Sequence, residues 1–147
     1  MIGHIKTVAI YVSDQVKALD FYTKTLGFEI RRQELMGPSA SWIEVAPPGA
    51  QSCLVLYPRA MTQNWQELKP SVVFACADVE GTCRDLAAKG VQITGQPRQM
   101  AWGTFAKFID PDGNEFILAS TYSLGRTSAD RGSYGQREAP YAAGAQR

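Results

Sequence analysis

Three side chains in this sequence are placed to do acid–base or metal chemistry. Glu44 lies in SWIEV, Glu115 directly follows DPDGN, and His4 is the one histidine of the chain. A carboxylate among aromatic neighbours serves as a general base or as an acceptor for a ligand donor. Two carboxylates and an imidazole brought together would hold a divalent cation. Arg31, in FEIRRQE, is the natural counter-charge for Glu44. Tyr11, Trp42 and Tyr57 supply aromatic wall for a ligand, and Trp102, beside Gly103 in QMAWGTF, sits on a loop that would cover the entrance. Each has a plainer reading. Burying Glu44 is expensive unless it is paired, so an Arg31–Glu44 pair that only holds a sheet is an equal alternative. The plainer reading is the preferred one for Glu115, a solvated glutamate beside a turn, and for Trp102, the anchor of its own loop, while Trp42 and Tyr57 also read as core. Arg59 and Arg98 read as surface charges.

The elements that must position these groups occur twice. Residues 7–14 read TVAIYVSD and residues 71–78 read SVVFACAD, two β-rich runs each ending in an aspartate. A helical stretch follows each, DQVKALDFYTKTLG and DVEGTCRDLAAKG, with Asp14 and Asp78 as N-caps and Gly27 and Gly90 at the C-terminal ends. Strands follow in FEIRRQE, SWIEV and SCLVLY, then in VQITGQ, TFAKFI and EFILAS, with APPGA and DPDG as turns. Each half is β-α-β-β-β, and PRAMTQNWQELKP joins them. The fold class is therefore α+β: two βαβββ modules in tandem, about 4–58 and 70–120, in one domain spanning 1–120.

Alternation along the strands sorts the faces. Val8, Ile10, Val12, Phe28, Ile30, Val72, Phe74, Cys76, Val91 and Ile93 pack under the helices. Tyr11, Arg31, Trp42, Glu44, Cys53, Val55 and Tyr57 face the other way. Four-residue turns at 47–50 and 110–113 would set Glu44 opposite Cys53 and Glu115 opposite Phe108. Thr104, Ala106 and Phe108 then join Glu115 on the inner face, and Lys107 falls awkwardly on the helix side. One residue more in the second turn would reverse that strand.

The bulk of the sequence removes several function classes. A net charge of +1 gives no pull toward nucleic acid or an anionic membrane. No apolar run approaches a membrane span, and the N-terminus lacks a signal-peptide layout, so a cytoplasmic protein is expected. Three cysteines without a CxxC pair fit reduced thiols. From Thr121 the chain is rich in Gly, Ser, Ala and Arg, which reads as a flexible tail over 121–147.

Paired βαβββ modules carrying LDFYTKTLGF in the first and DPDGNEF in the second resemble the vicinal oxygen chelate superfamily, which includes glyoxalase I, bleomycin-resistance proteins and extradiol dioxygenases. The resemblance covers about residues 4–120. It implies that each sheet curls into a cup with its helix outside, that members often form homodimers, and that many hold a divalent metal in the cup. In metal-using members the ligands stand at positions that fall here on Thr7, Ser71, Val55 and Ile117. Hydroxyls are poor divalent ligands and hydrocarbons are none. His4, an odd step from Thr7, faces away from the cup. The reading is a pocket without metal or other cofactor that takes an unknown small molecule, in a binding protein or an unassigned enzyme with Glu44 as its base. The alternative is a metal-dependent lyase, isomerase or dioxygenase with a relocated set from His4, Glu44 and Glu115. A third is a non-catalytic dimeric module whose cup is filled by its own side chains.

Overall fold

The computed structural model of the chain describes residues 1–101 and 103–120. Trp102 and the expected tail, 121–147, lie outside the described residues. The first module is β1 (Thr7–Val12), α1 (Gln15–Asp20), β2 (Glu29–Leu35), β3 (Ser41–Ala46) and β4 (Cys53–Pro58). The second is β5 (Val72–Cys76), α2 (Val79–Ala88), β6 (Gln92–Ile93), β7 (Arg98–Met100), β8 (Gly103–Ile109) and β9 (Glu115–Ser120). Two short 3-10 turns, Arg59–Met61 and Trp65–Glu67, shape the connection. The sheets have matching topology, β1-β4-β3-β2 and β5-β9-β8-β6, with β7 added to β8. β1 lies parallel to β4 and β5 parallel to β9. This is the tandem α+β arrangement that the repeated pattern implies.

The caps form as expected. Asp14 accepts from the amides of Val16 at 2.9 Å and Lys17 at 3.0 Å, and Asp78 accepts from Gly81 at 2.9 Å. A π-helical turn over Phe21–Thr25 prolongs α1 before Gly27 leaves it at φ 74°. Ile10, Val12, Leu54, Leu56, Ile43 and Val45 cover the helix side of the first sheet, and Phe108, Phe116 and Leu118 that of the second. All belong to one core that joins both modules.

Three registers differ from expectation. β3 and β4 pair as Glu44↔Val55 and Val45↔Leu54, so the connection is two residues longer than four and the faces are unchanged. Between β8 and β9, Ile109 opposes Glu115 and Phe108 opposes Phe116. The loop there has five residues, closed by Asp110 N donating to Asn114 O at 3.0 Å. That extra residue reverses β8. Ala106 and Phe108 enter the core, and Lys107 moves to the inner face, where it meets Glu115 at 2.9 Å. The third difference is a bulge in β2 between Ile30 and Arg32. Beyond it Arg32 opposes Glu44 and Glu34 opposes Trp42, so Arg32 and Glu34, not Arg31 and Gln33, share the inner face. The strand equivalent to β2 is split in the second module into β6 and β7. Gly95, at φ 76°, and Pro97, which lacks an amide donor, fall in the break.

The two sequence signatures touch. Tyr22, from DFYTKTLGF, donates its hydroxyl to Asp110 Oδ2 of DPDGNEF at 2.8 Å. Burial first, then the charge and hydrogen bond of Asp110, raise the Tyr22 phenol well above its ordinary value of 10.0. The folded state therefore keeps this proton at alkaline pH after the unfolded chain has lost it. Stability is full below about pH 10 and falls above it, by up to about 1.4 kcal/mol per pH unit. Alkaline urea titrations of wild type and Tyr22→Phe test this: the variant is expected to lack that slope, and equal slopes would refute the assignment.

Candidate inner-face site

The inner face of the first module gathers four of the residues singled out from sequence. Tyr11, Tyr57 and Trp42 sit on β1, β4 and β3. Register sets Tyr11 directly opposite Tyr57. Their rings meet edge to face with centroids 6.1 Å apart, and Trp42 meets Tyr57 in the same way at 6.3 Å. Glu44, two residues along β3, is buried at 6% exposure, and its Oε1 accepts from Trp42 Nε1 at 2.8 Å. An indole donor thus satisfies one oxygen of this carboxylate.

Arg31 does not join them. The bulge turns it to Glu29, at 3.3 Å, and to the carbonyl of Pro47, at 3.4 Å. The expected Arg31–Glu44 pair is absent because the extra residue shifts every later side chain to the other face. Arg32 takes the position across from Glu44, yet both arms of its guanidinium go to Glu34 at 2.9 and 2.8 Å. Those bonds, then the charge of Arg32, hold the Glu34 carboxyl below its ordinary value. Glu115 lies on the second module's inner face, exposed and paired with Lys107. Trp102 is outside the described residues.

Sequence reasoning missed three supporting groups. Gln15 donates through Nε2 to the carbonyls of Ser41 at 2.6 Å and Leu56 at 2.7 Å, and its Oε1 accepts from Ser41 N at 3.0 Å. It thereby fixes the start of α1 against β3 and β4. Its place directly after the capping aspartate was the available signal. Arg59, expected on the surface, instead lies over the Trp65 ring at 4.0 Å and donates to Asp112 O at 2.7 Å. Nothing in PRAMTQNWQELKP marks either residue for this contact.

The positions from which metal ligands would come hold a hydroxyl or a hydrocarbon. Val55 is 1% and Ile117 9% exposed, with no donor atom to offer. Among the described residues, no three of His, Cys, Asp or Glu stand together as a cation site. The relocated set of His4, Glu44 and Glu115 is therefore not assembled. These side chains do not fit the divalent metal of metal-using relatives.

A family model described as the Glyoxalase/Bleomycin resistance protein/Dioxygenase superfamily matches residues 2–118. The chain belongs to this superfamily. Within reach of it stands YetH, an uncharacterized protein of Bacillus subtilis, 51% identical over 118 residues that make up 80% of this chain and 98% of YetH. Two solved structures align closely. A superfamily member from Sphaerobacter thermophilus has a TM-score of 0.74 at 34% identity, covering 82% of this chain and 98% of its own. TnmS3, an antibiotic binding protein from a Streptomyces species, has a TM-score of 0.70 at 35% identity, with the same two coverages. Among the described residues, no helix is long and apolar enough to cross a membrane.

Proposed function

We propose that this chain is a small-molecule binding member of the superfamily, which holds a flat aromatic ligand on the inner face of its first module without using a metal. The observation that carries this reading is the continuous row Tyr11–Tyr57–Trp42, ending on the buried Glu44 carboxylate. Edge-to-face rings leave π-faces for a stacked ligand, and few placed polar groups within an apolar wall are typical of such sites. Glu44 Oε2 would meet a ligand ammonium or hydroxyl. General-base chemistry would begin at the same oxygen if the bound molecule carried an acidic proton. The similarity to TnmS3, an antibiotic binding protein, supports a ligand of antibiotic type. A small-molecule sequestering role in a homodimer, in the cytoplasm, is part of this proposal.

Daunomycin, a planar ring system bearing one ammonium, is a suitable probe. Titration followed by drug and tryptophan fluorescence is expected to give saturable binding. Glu44→Gln should weaken it about tenfold, equivalent to about 1.4 kcal/mol, and Trp42→Ala by more. The reading is refuted if daunomycin does not bind, or if both variants bind it as wild type does.

A further inference from the structure

The connection between the modules borders a second, partly open space beyond the Tyr11 end of the inner-face row. It is a cavity of about 730 Å³ whose lining includes Tyr11, Arg59, Trp65, Lys69, Glu115 and Ile117. That volume suits a small organic ligand.

The charges around it are unevenly committed. Asp112 Oδ1 accepts from Ser13 N at 3.0 Å and Ser13 Oγ at 2.7 Å, with an Arg59 nitrogen at 3.7 Å. Glu115 is held by Lys107 at 2.9 Å. Both acids are thus occupied by donors of the chain itself. The cations are less so, although Arg59 already spends one guanidinium nitrogen on Asp112. Lys69 is exposed and forms no ion pair among the described residues. Arg59 Nε is the one buried side-chain nitrogen or oxygen among the described residues without a hydrogen-bond partner. A buried unsatisfied N–H is costly, and a charged one more so. The cavity therefore offers two cationic donors, an indole and a phenol, beside carboxylates that already hold donors of the chain.

We propose that this cavity binds an aromatic oxyanion, an aryl carboxylate or sulfonate, with its ring beside Trp65 and its oxygens between Lys69 and Arg59 Nε. A ligand oxygen on Nε completes the hydrogen bonding of Arg59. The Trp65 ring, centred 4.0 Å from the Arg59 guanidinium carbon, rides on a single 3-10 turn. The site shares Tyr11 with the inner-face row but has the opposite charge preference to the Glu44 face, so variants at Lys69 and Glu44 tell the two apart.

The test uses the full-length chain, uniformly labelled with 15N, and two probes with one ring system: 1-naphthoate and 1-naphthylmethylammonium. 1-Naphthoate is expected to move the Trp65 indole signal and the amides of Lys69 and Ser71, with an affinity at least about tenfold above that of the ammonium and falling as salt rises. Lys69→Met, an exposed substitution, should weaken naphthoate about fivefold without changing the melting temperature, in the range of a partly screened charge contact. Trp65→Ala should weaken it further, and Glu44→Gln should leave it unchanged. Four outcomes would overturn the proposal: no saturable shifts, equal or tighter binding of the ammonium, shifts centred on the Trp42 indole, or indifference to Lys69→Met.

Discussion

Asp110→Ala is expected to cost this protein about 3 kcal/mol and roughly 10 °C in melting temperature. Asp110 is 4% exposed and accepts four hydrogen bonds. Oδ1 takes the amides of Asp112 at 2.9 Å and Asn114 at 2.8 Å. Oδ2 takes Asn114 Nδ2 and the Tyr22 hydroxyl, both at 2.8 Å. Removing the carboxylate strands the Tyr22 hydroxyl at 0% exposure, where water cannot replace the acceptor. The turn amides are nearer solvent and recover part of their loss. The turn also ties the modules, because Asn114 Nδ2 reaches Tyr11 O at 3.4 Å, on the strand that begins the inner-face row. Urea denaturation of Asp110→Ala, Tyr22→Phe and the double variant measures the coupling, which should exceed about 1 kcal/mol. A loss under about 0.5 kcal/mol for Asp110→Ala, the size of an ordinary surface change, would show that this network does not hold the fold.

Read from sequence, DPDGNEF posed the question of what Glu115 does. The structural answer lies with its neighbours: Asp110 and Asn114 organise the turn, Gly113 supplies a φ of 83°, and Glu115 pairs with Lys107. The modules, caps and most helix-side faces were legible because each rests on a local rule: a carboxylate before a helix, a glycine after it, period-two alternation in strands; Ile30, expected under the helix, is instead exposed beside the β2 bulge. The inner-face row was legible for the same reason, since Trp42, Glu44 and Tyr57 keep their faces whether the β3–β4 connection has four residues or six. Parity failed at two places. A fifth residue in the 110–114 loop reversed β8, and the bulge before Arg32 reversed β2. Both are single-residue insertions that change no composition and break no propensity. Lys107, awkward on the helix side, was the one sequence signal that the longer loop was right. Gln15 and the Arg59–Trp65 contact depend on residues 26 and more apart for the first and on the path of the connecting chain for the second, and no periodicity encodes either.

Restoring a carboxylate where metal-using relatives have a ligand is expected to harm this protein, and the reason bears on why the metal positions stand as they do. Val55 is 1% exposed and is the cross-strand partner of Glu44. Val55→Glu would set a second buried carboxylate beside the first, with no added cation from the chain. Removing such a charge from water, next to a like charge, costs about 3–5 kcal/mol. The deficit should depend on pH in a definite direction. Burial and Glu44 raise the folded pKa of the introduced carboxyl above its unfolded value near 4.3. The neutral form is tolerated, so the penalty is small below about pH 4 and grows as pH rises through and beyond that value. Val55→Gln, of similar shape and without charge, separates the electrostatic cost from overpacking and should lack the pH dependence. Thr7, Ser71 and Ile117 provide no strong donor to complete a site with the new group. Zinc or nickel at about 1 mM is therefore expected to leave the melting temperature of Val55→Glu nearly unchanged, since only binding well below that concentration would stabilise it measurably. If either ion restores wild-type stability, a latent divalent site exists between these strands and the metal-free reading of the inner face is wrong. If neither does, Glu44 and a ligand carboxylate at position 55 are alternatives, and this chain has kept the one that an indole N–H can satisfy.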